Sequence, residues 1–207
     1  MSLPRLRTVA LVARDPGLVL LRDALIGHPN LDLCAVVTHG QRPKDEGGGQ
    51  RAEVALYEAA CKAAGVPLIV ADGAKAKALE TLLPAGPLDL LVSLSWRYIL
   101  PAAVLTRFKG GCLNLHRGAL PAYAGAKPVQ RAIEAGERRV AICCHEMVEE
   151  VDAGEIYAQV WMDIAPLKAG QTAAVYAEDV KLALTPLYAP LGKAAIAAKL
   201  ATLGFVR

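Results

Sequence analysis

Residues 31–38 read LDLCAVVT, an almost unbroken apolar run that ends in the β-branched residues Val36, Val37 and Thr38. Strands of a parallel sheet that is covered by helices on both faces have this composition, whereas strands with one wet face alternate between apolar and polar residues. Three similar runs are RTVALVA at 7–13, VPLIVA at 66–71 and DLLVSLS at 89–95. The sequence therefore predicts four buried strands.

Helical patterns lie between these strands, at residues 17–27, 51–64 and 74–82. The second of them contains VALYEAACKAA and ends at Gly65, because glycine readily takes the left-handed conformation that closes a helix. The order βαβαβαβ is typical of a doubly wound, Rossmann-like α/β fold.

The pattern changes after Leu100. We predict strands in GCLNLHR (111–117), RRVAICCHEMV (138–148) and EIYAQVWMDI (155–164), and a helix in KPVQRAIEAG (127–136). Residues 171–201 are rich in alanine and leucine, which predicts a long terminal helical segment that is interrupted near Pro186 or Pro190. The expected fold is one α/β domain over residues 1–207, with a mostly parallel sheet of about seven strands and helices on both faces.

Composition narrows the class of protein. The net charge of +3 is small and no block of lysine and arginine stands out, so a nucleic acid is not expected as a partner. No apolar stretch reaches the ~18 residues that a membrane-spanning helix needs. The five cysteines are odd in number and lack the paired spacing of metal ligands, which predicts reduced thiols, a cytoplasmic location and no metal site.

Four polar side chains stand out from the apolar strands. Asn114 and His116 lie two apart in GGCLNLHRGALP (110–121), so they share one face at the carboxyl end of a strand, where α/β sheets bind ligands. His145 ends another strand, and Asp152 follows seven residues later. An amide, an imidazole and a carboxylate suit acyl transfer without a protein nucleophile. Spacing alone leaves open that they are ordinary polar residues at strand ends.

Two loops bear on the choice of ligand. ARDPG at 13–17 follows the first strand and contains neither G-x-G-x-x-G nor a P-loop, so a dinucleotide or nucleoside triphosphate is not indicated there. KDEGGGQ at 44–50 reads as a mobile loop between a strand and a helix. His39 falls in a predicted loop and is interpreted as a surface residue.

CLNLHRGALPAYAGAKP, residues 112–128, resembles the signature N-x-H-x-S-x-L-P-x-Y-x-G-x-x-P of the folate-dependent formyltransferases. The spacing His145…Asp152-Ala153-Gly154 is similar to the H-x₆-D-x-G of that family, and WRYILP at 96–101 is similar to its pterin-covering segment. The family includes glycinamide ribonucleotide, methionyl-tRNA and sugar-nucleotide N-formyltransferases. The resemblance implies a formyltransferase catalytic domain.

In that family, 10-formyltetrahydrofolate gives its formyl group to an amine, and no metal is implied. Carried over, Asn114 would bond the formyl oxygen, and His116 would act as the acid or electrostatic stabiliser of the tetrahedral intermediate. Asp152 would hold the imidazole and, through water, help to remove the amine proton. His145 would support Asn114, His116 and Asp152 without contacting the substrate. The pterin ring would be held by the backbone of Arg97, Tyr98, Ile99 and Leu100 and by the loop of Glu149, Glu150, Val151 and Asp152.

The sequence departs from the family pattern near the acceptor. Gly118 replaces a serine and Ala124 replaces a frequent arginine. The loop after the first strand lacks the phosphate-binding glycines of the purine branch, and Asp15 would repel a phosphate. The methionyl-tRNA enzymes add a C-terminal RNA-binding domain, so the end of this chain after its helical segment disfavours tRNA. The predicted acceptor is a small amine, with an amino-sugar nucleotide as first choice and the 42–50 loop on the substrate side.

Three alternatives stay open. A formyltetrahydrofolate deformylase would use water as the acceptor, although such enzymes usually carry an N-terminal regulatory domain. A methionyl-tRNA formyltransferase-like enzyme would lack the RNA-binding domain. A folate-binding module without activity would not need the Asn-His-Asp set. The sequence also leaves open whether the chain forms a homodimer.

Overall fold

The computed structural model describes residues 5–44 and 47–205, so residues 45–46 of the KDEGGGQ loop lie outside the described residues. The contacts within the chain divide it into two compact units, Met1–Leu113 and Asn114–Arg207. The single domain over residues 1–207 therefore stays a prediction.

The described residues form a seven-stranded sheet in the order β3-β2-β1-β4-β5-β6-β7. Its strands are β1 (Leu6–Val12), β2 (Leu31–Thr38), β3 (Leu68–Val70), β4 (Leu90–Leu94), β5 (Cys112–His116), β6 (Arg139–Glu146) and β7 (Ile156–Asp163). The strand β1 runs parallel to β2 and β4, and β2 runs parallel to β3, whereas β6 and β7 are antiparallel. The predicted mostly parallel α/β sheet of about seven strands is confirmed.

Helices connect and cover these strands. They are α1 (Arg14–Leu20), α2 (Val54–Ala64), α3 (Gly73–Lys77), α4 (Ala102–Leu105), α5 (Pro128–Glu134), α6 (Ala173–Leu184) and α7 (Tyr188–Thr202). The strand β1 is paired on both edges, and its residues Val9, Ala10 and Leu11 are fully buried. Because both faces of this strand are dry, its sequence shows a continuous apolar run rather than an alternation.

The first helix differs from the pattern in the sequence. It begins at Arg14 rather than near residue 17, and it continues into a π-helix at Leu21–Leu25. The Tyr57 hydroxyl donates a hydrogen bond of 2.9 Å to the Arg14 carbonyl oxygen, and it lies so close to Gly17 that a side chain there would overlap it. A tertiary contact from α2 thus fixes the start of α1, which local periodicity does not reveal.

The terminal helical segment consists of α6 and α7 with a short 3-10 turn, Thr185–Leu187, between them. Pro186 lies in this turn, and Pro190 lies in the first turn of α7, where a missing N–H breaks no helical hydrogen bond. Within the described residues, no helix is long and apolar enough to cross a membrane.

Candidate active site

The side chain of His116 is held between two acceptors. Strand β5 ends at His116, whose side chain is 8% exposed. Its Nε2–H donates to the Tyr123 carbonyl oxygen at 2.8 Å, and its Nδ1 lies 3.2 Å from Oδ2 of Asp152. Because both ring nitrogens face acceptors, the doubly protonated imidazolium satisfies both of them.

Asp152 lies in the loop between β6 and β7, with a left-handed backbone at φ 57°. Its Oδ2 accepts a hydrogen bond of 2.8 Å from the Gly125 amide, and its Oδ1 lies 3.4 Å from Nε2 of His145. Burial opposes the ionisation of this carboxyl, but the bonds from His145 and Gly125 and the nearby imidazole of His116 outweigh it. The pKa of Asp152 therefore lies below its ordinary value.

His145 connects Asp152 to Asn114. Its Nδ1–H donates to the Glu146 carbonyl oxygen at 2.8 Å, and its Nε2 faces both the Asn114 amide and the Asp152 carboxylate. Nε2 lies 3.2 Å from Nδ2 of Asn114, within hydrogen-bonding distance, so His145 fixes the position of the Asn114 amide. The structure thus brings Asn114, His116, His145 and Asp152 together within Asn114–Arg207.

The pKa of His116 is set by a balance of opposing effects. Burial lowers it, while the bond to the Tyr123 carbonyl and the charge of Asp152 raise it. Burial is the largest of these effects, so the pKa of His116 lies below its ordinary value of 6.5. The ring is thus neutral more readily than a free imidazole, and Asp152 lies beside it to stabilise the charged form.

Gly118 makes room for the bond between His116 and Tyr123. A Cβ atom at this position would lie 2.8 Å from both Nε2 of His116 and the carbonyl oxygen of Tyr123. These distances are too short for a real side chain, so a larger residue would push the two partners apart. The departure from the family serine thus has a local structural consequence at the imidazole.

The base of the Asp152 loop is fastened by contacts that the sequence analysis missed. The Glu146 amide donates to the Glu155 carbonyl at 2.8 Å, and a Cβ at Gly154 would overlap the Glu146 carbonyl oxygen. Nζ of Lys199 donates to Oε2 of Glu146 at 2.7 Å and to the Tyr157 hydroxyl at 3.1 Å. The signal that could have found Lys199 is its position among the apolar residues of α7, three and four residues after the buried Ile196 and Ala195.

The predicted pterin-binding residues fall in both units. In the first, Leu100 is buried, Ile99 is 81% exposed, and the Tyr98 hydroxyl accepts a bond of 3.2 Å from the Gly73 amide. Among the described residues, no backbone hydrogen bond involves residues 98–100, so their donors and acceptors are available to the edge of a flat ring. In the second unit, Glu149, Glu150 and Val151 are exposed.

His39 is not the surface residue that its predicted loop indicated. It is 1% exposed and stacks on Trp96 with 4.1 Å between ring centroids. Burial lowers the pKa of His39 to about 4. The interpretation was wrong because the residue follows β2 directly and the aromatic ring that covers it comes from a distant part of the chain.

The cysteines and acidic residues offer no metal site. Within the described ranges, no group of three or more His, Cys, Asp and Glu side chains is arranged to hold a metal ion. The five cysteines are free thiols, and burial raises the pKa of Cys61 to about 11 and that of Cys143 to about 12.

Comparison with known proteins gives a family match over most of the chain. The family model described as formyl transferase matches residues 20–182. The methionyl-tRNA formyltransferase of Thermotoga neapolitana is 36% identical over 139 residues, which are 67% of this chain and 44% of that protein. The one from Cutibacterium acnes is 31% identical over 165 residues, 79% of this chain and 50% of that protein. The chain thus spans about half the length of these curated relatives.

Solved structures of similar fold come from two further kinds of enzyme. Glycinamide ribonucleotide transformylase 1 from Symbiobacterium toebii has a TM-score of 0.68 at 21% identity, covering 97% of this chain and 89% of that one. A formyltetrahydrofolate deformylase from Pseudomonas syringae has a TM-score of 0.66 at 20% identity, covering 96% and 61%. At these identities the likeness concerns the fold.

Proposed function

The chain belongs to the formyl transferase family, and from this premise we propose that it transfers a formyl group from 10-formyltetrahydrofolate to a primary amine. The observation that carries the proposal is the position of the His116 imidazole, with its Nδ1 3.2 Å from the Asp152 carboxylate and the Asn114 amide fixed nearby by His145. These side chains can stabilise negative charge and can give or take up a proton. Acyl transfer between two amines requires both.

Asn114 is proposed to donate a hydrogen bond to the formyl oxygen. 10-Formyltetrahydrofolate supplies the formyl carbon when it is bound. The Asn114 amide is positioned by its 3.2 Å contact with Nε2 of His145, and an N–H of that amide is proposed to point at the substrate. The imidazole of His116 lies on the same face of β5 and, in the protonated form that Asp152 favours, stabilises the negative charge that develops on that oxygen during transfer.

Asp152 is proposed to serve both the imidazole and the attacking amine. Its carboxylate lies against Nδ1 of His116 and favours the charged ring. Since the pKa of Asp152 lies below its ordinary value, the group is ionised at neutral pH and can accept the amine proton through a water molecule. The same group thus stabilises the charged imidazole and removes a proton, and the departing N10 of tetrahydrofolate takes up a proton as its bond to the formyl carbon breaks.

The proposed pterin site uses backbone more than side chains. Residues 98–100 carry backbone groups that are free among the described residues, and the exposed side chain of Ile99 offers an apolar surface for a flat ring. Arg97 belongs to the same segment. Glu149, Glu150 and Val151, which precede Asp152 in the second unit, are the other residues proposed to contact the pterin.

For the acceptor, the first candidate is a small amine, with an amino-sugar nucleotide foremost. Asp15 lies in the first turn of α1 after strand β1, and a negative charge there disfavours a phosphate such as that of glycinamide ribonucleotide. A second candidate is the amino group of methionyl-tRNA. It is favoured by the 36% identity to the methionyl-tRNA formyltransferase of Thermotoga neapolitana.

A release assay tests the proposal. The chain is incubated with 10-formyltetrahydrofolate alone, with an amino-sugar nucleotide, with methionyl-tRNA and with glycinamide ribonucleotide, and free tetrahydrofolate is followed by absorbance. The His116→Ala variant serves as the control for contaminating activity. Release that depends on the amino sugar supports the first candidate, and release that depends on methionyl-tRNA supports the second. Release in water alone indicates a deformylase, and no release in any arm overturns the proposal.

A further inference from the structure

The Asp72 carboxylate fastens together three loops of the first unit, Met1–Leu113. Asp72 follows β3 and accepts hydrogen bonds from the Gly40 amide at 2.9 Å and from the Gln41 amide at 3.2 Å, both in the loop after β2. It also accepts a bond of 3.1 Å from Nη2 of Arg97, in the loop after β4. These loops leave the carboxyl ends of parallel strands, where sheets of this type bind ligands.

His39 makes a second connection between the same loops. Its Nδ1–H donates to the Ala71 carbonyl oxygen at 3.0 Å, and its Nε2 accepts from the Arg97 amide at 3.4 Å. The ring stacks on Trp96 at 4.1 Å and meets Tyr98 edge-on at 5.6 Å. We call His39, Asp72 and Arg97 the Asp72 cluster.

The loop after β2 is closed by hydrogen bonds between its two ends. Its two ends, residues 40–42 and 49–51, pair with each other, and we call them the hairpin arms. Gln41 and Gln50 form an antiparallel bridge, and the Arg42 amide donates to the Gly49 carbonyl at 2.8 Å. Nη2 of Arg97 donates to the Gln41 carbonyl at 2.8 Å, so the guanidinium bonds an arm directly as well as through Asp72.

We infer that the Asp72 cluster positions residues 97–100 and the hairpin arms as one element, so that a ligand bound to either of them orders the other. The inference rests on the proposed function, in which residues 97–100 hold the pterin. Both segments bond the same carboxylate, and Arg97 also bonds the Gln41 carbonyl, so a motion that frees Arg97 removes contacts that hold the hairpin arms. A ligand that stops this motion at one segment therefore stops it at both, and the effect is reciprocal.

Hydrogen exchange on the full chain tests the coupling, with tetrahydrofolate as the probe. In the unaltered chain, tetrahydrofolate is expected to slow exchange at residues 97–100 and also in the hairpin arms. In Asp72→Asn the slowing at 97–100 is expected to persist, while that in the arms falls by about 5-fold or more, the size of a typical coupling. Asp23→Asn, at an exposed carboxylate of the same unit, is the matched control and should behave like the unaltered chain.

The outcomes separate the coupling from the proposed function. Arms that stay unprotected while residues 97–100 are protected, or arms still protected in Asp72→Asn, overturn the coupling. If tetrahydrofolate protects neither segment, the proposed function fails. Hydrogen exchange of the chain without ligand then tests whether the Asp72 cluster links the two segments. There, Asp72→Asn is expected to speed exchange of the Arg97, Gly40 and Gln41 amides together, and a change at only one segment overturns the inference.

A second variant guards against misfolding of the first. His39→Phe keeps a flat ring against Trp96 but removes both hydrogen bonds of the imidazole. It is expected to speed exchange of the Arg97 amide and to weaken the transfer of protection to the arms. If Asp72→Asn does not fold, unchanged transfer in His39→Phe overturns the inference.

Discussion

Two buried histidines, one in each compact unit, lie beside an aspartate, and their surroundings prepare them for opposite tasks. Nδ1 of His39 is 3.8 Å from Oδ1 of Asp72, and Nδ1 of His116 is 3.2 Å from Oδ2 of Asp152. In the first pair, Nδ1–H bonds a backbone carbonyl and Nε2 accepts the Arg97 amide. An acceptor nitrogen cannot carry a proton, so His39 is held neutral.

The second pair has the reverse arrangement. Both nitrogens of His116 face acceptors, the Tyr123 carbonyl and the Asp152 carboxylate, so a proton on either nitrogen has an acceptor to bond. Burial lowers the pKa in both rings, to about 4 for His39. A nearby carboxylate therefore does not by itself decide the protonation state of a histidine, because the partners of both ring nitrogens determine which state is stable.

Turnover is expected to distinguish His116 from His39 most clearly. His116→Ala and Asp152→Asn should each lower turnover by about 10²–10⁴-fold, as loss of a general acid or base typically does. Binding of 10-formyltetrahydrofolate, measured by calorimetry, should survive, since the pterin is held largely by backbone. His39→Phe is the comparison and should lose far less turnover. Near-normal turnover of His116→Ala would refute the proposed mechanism.

The loss of folding stability in acid should depend on the protonation of His39. Its ordinary pKa of 6.5 applies to the unfolded chain and falls to about 4 in the fold, so the unfolded state binds more protons between these values. The free energy of unfolding should therefore drop by about 3 kcal/mol as the pH falls from 6.5 to 4.

Denaturant titrations across that pH range measure the drop. Nearby Arg97 and Arg51 lower the pKa of His39 further, while the Ala71 carbonyl and Asp72 raise it. His39→Phe removes the titrating ring, and the slope in this range should flatten relative to the unaltered chain. An identical slope in both proteins would show that His39 is protonated normally in the fold.

The Lys199→Met variant tests the ion pair between Lys199 and Glu146 at the base of the Asp152 loop. This change removes the ammonium that bonds Glu146 at 2.7 Å, so a largely buried carboxylate loses this contact, at a cost of about 3 kcal/mol in the free energy of unfolding. Thermal or denaturant unfolding measures it. Lys193→Met, at an exposed lysine of the same helix, is the matched control. Equal stability of the two variants would mean that the ion pair contributes nothing.

The smallest effect tests the acceptor opposite Nε2 of His116. Gly118→Ala should push the Tyr123 carbonyl away from the ring, with a loss of about 1–2 kcal/mol in unfolding free energy. Because that bond raises the pKa of His116, the pKa should fall further, which NMR titration of the ring protons detects. The His39 titration should not move, and a shift there instead would mean that the substitution acts through general loosening.

The sequence predicted the sheet well because its strands are continuous apolar runs. LDLCAVVT was predicted as a strand over residues 31–38, and β2 spans those residues. The membership of a formyltransferase family, predicted from the motifs around Asn114 and Asp152, is also confirmed. The start of α1 at Arg14 could not be predicted, because it depends on the hydroxyl of Tyr57 from a distant helix.

The candidate site could be predicted as a set of residues but not as a network. The resemblance to the family signature implied that Asn114, His116 and Asp152 act together. The bond from His145 to the Glu146 carbonyl, in contrast, is encoded by no sequence pattern. Lys199 was missed because a lysine in an alanine-rich helix is usually solvated. His39 was missed because its cover, Trp96, comes from another loop.

The thiols of this protein have a practical consequence for labelling. Cys61, Cys112, Cys143 and Cys144 are buried, whereas Cys34 is partly exposed on β2. A maleimide reacts with the thiolate and must reach the sulfur, so a single fluorophore should attach at Cys34 while the native fold persists. The natural sequence thus provides one handle on the first unit for distance measurements, without any cysteine having to be removed.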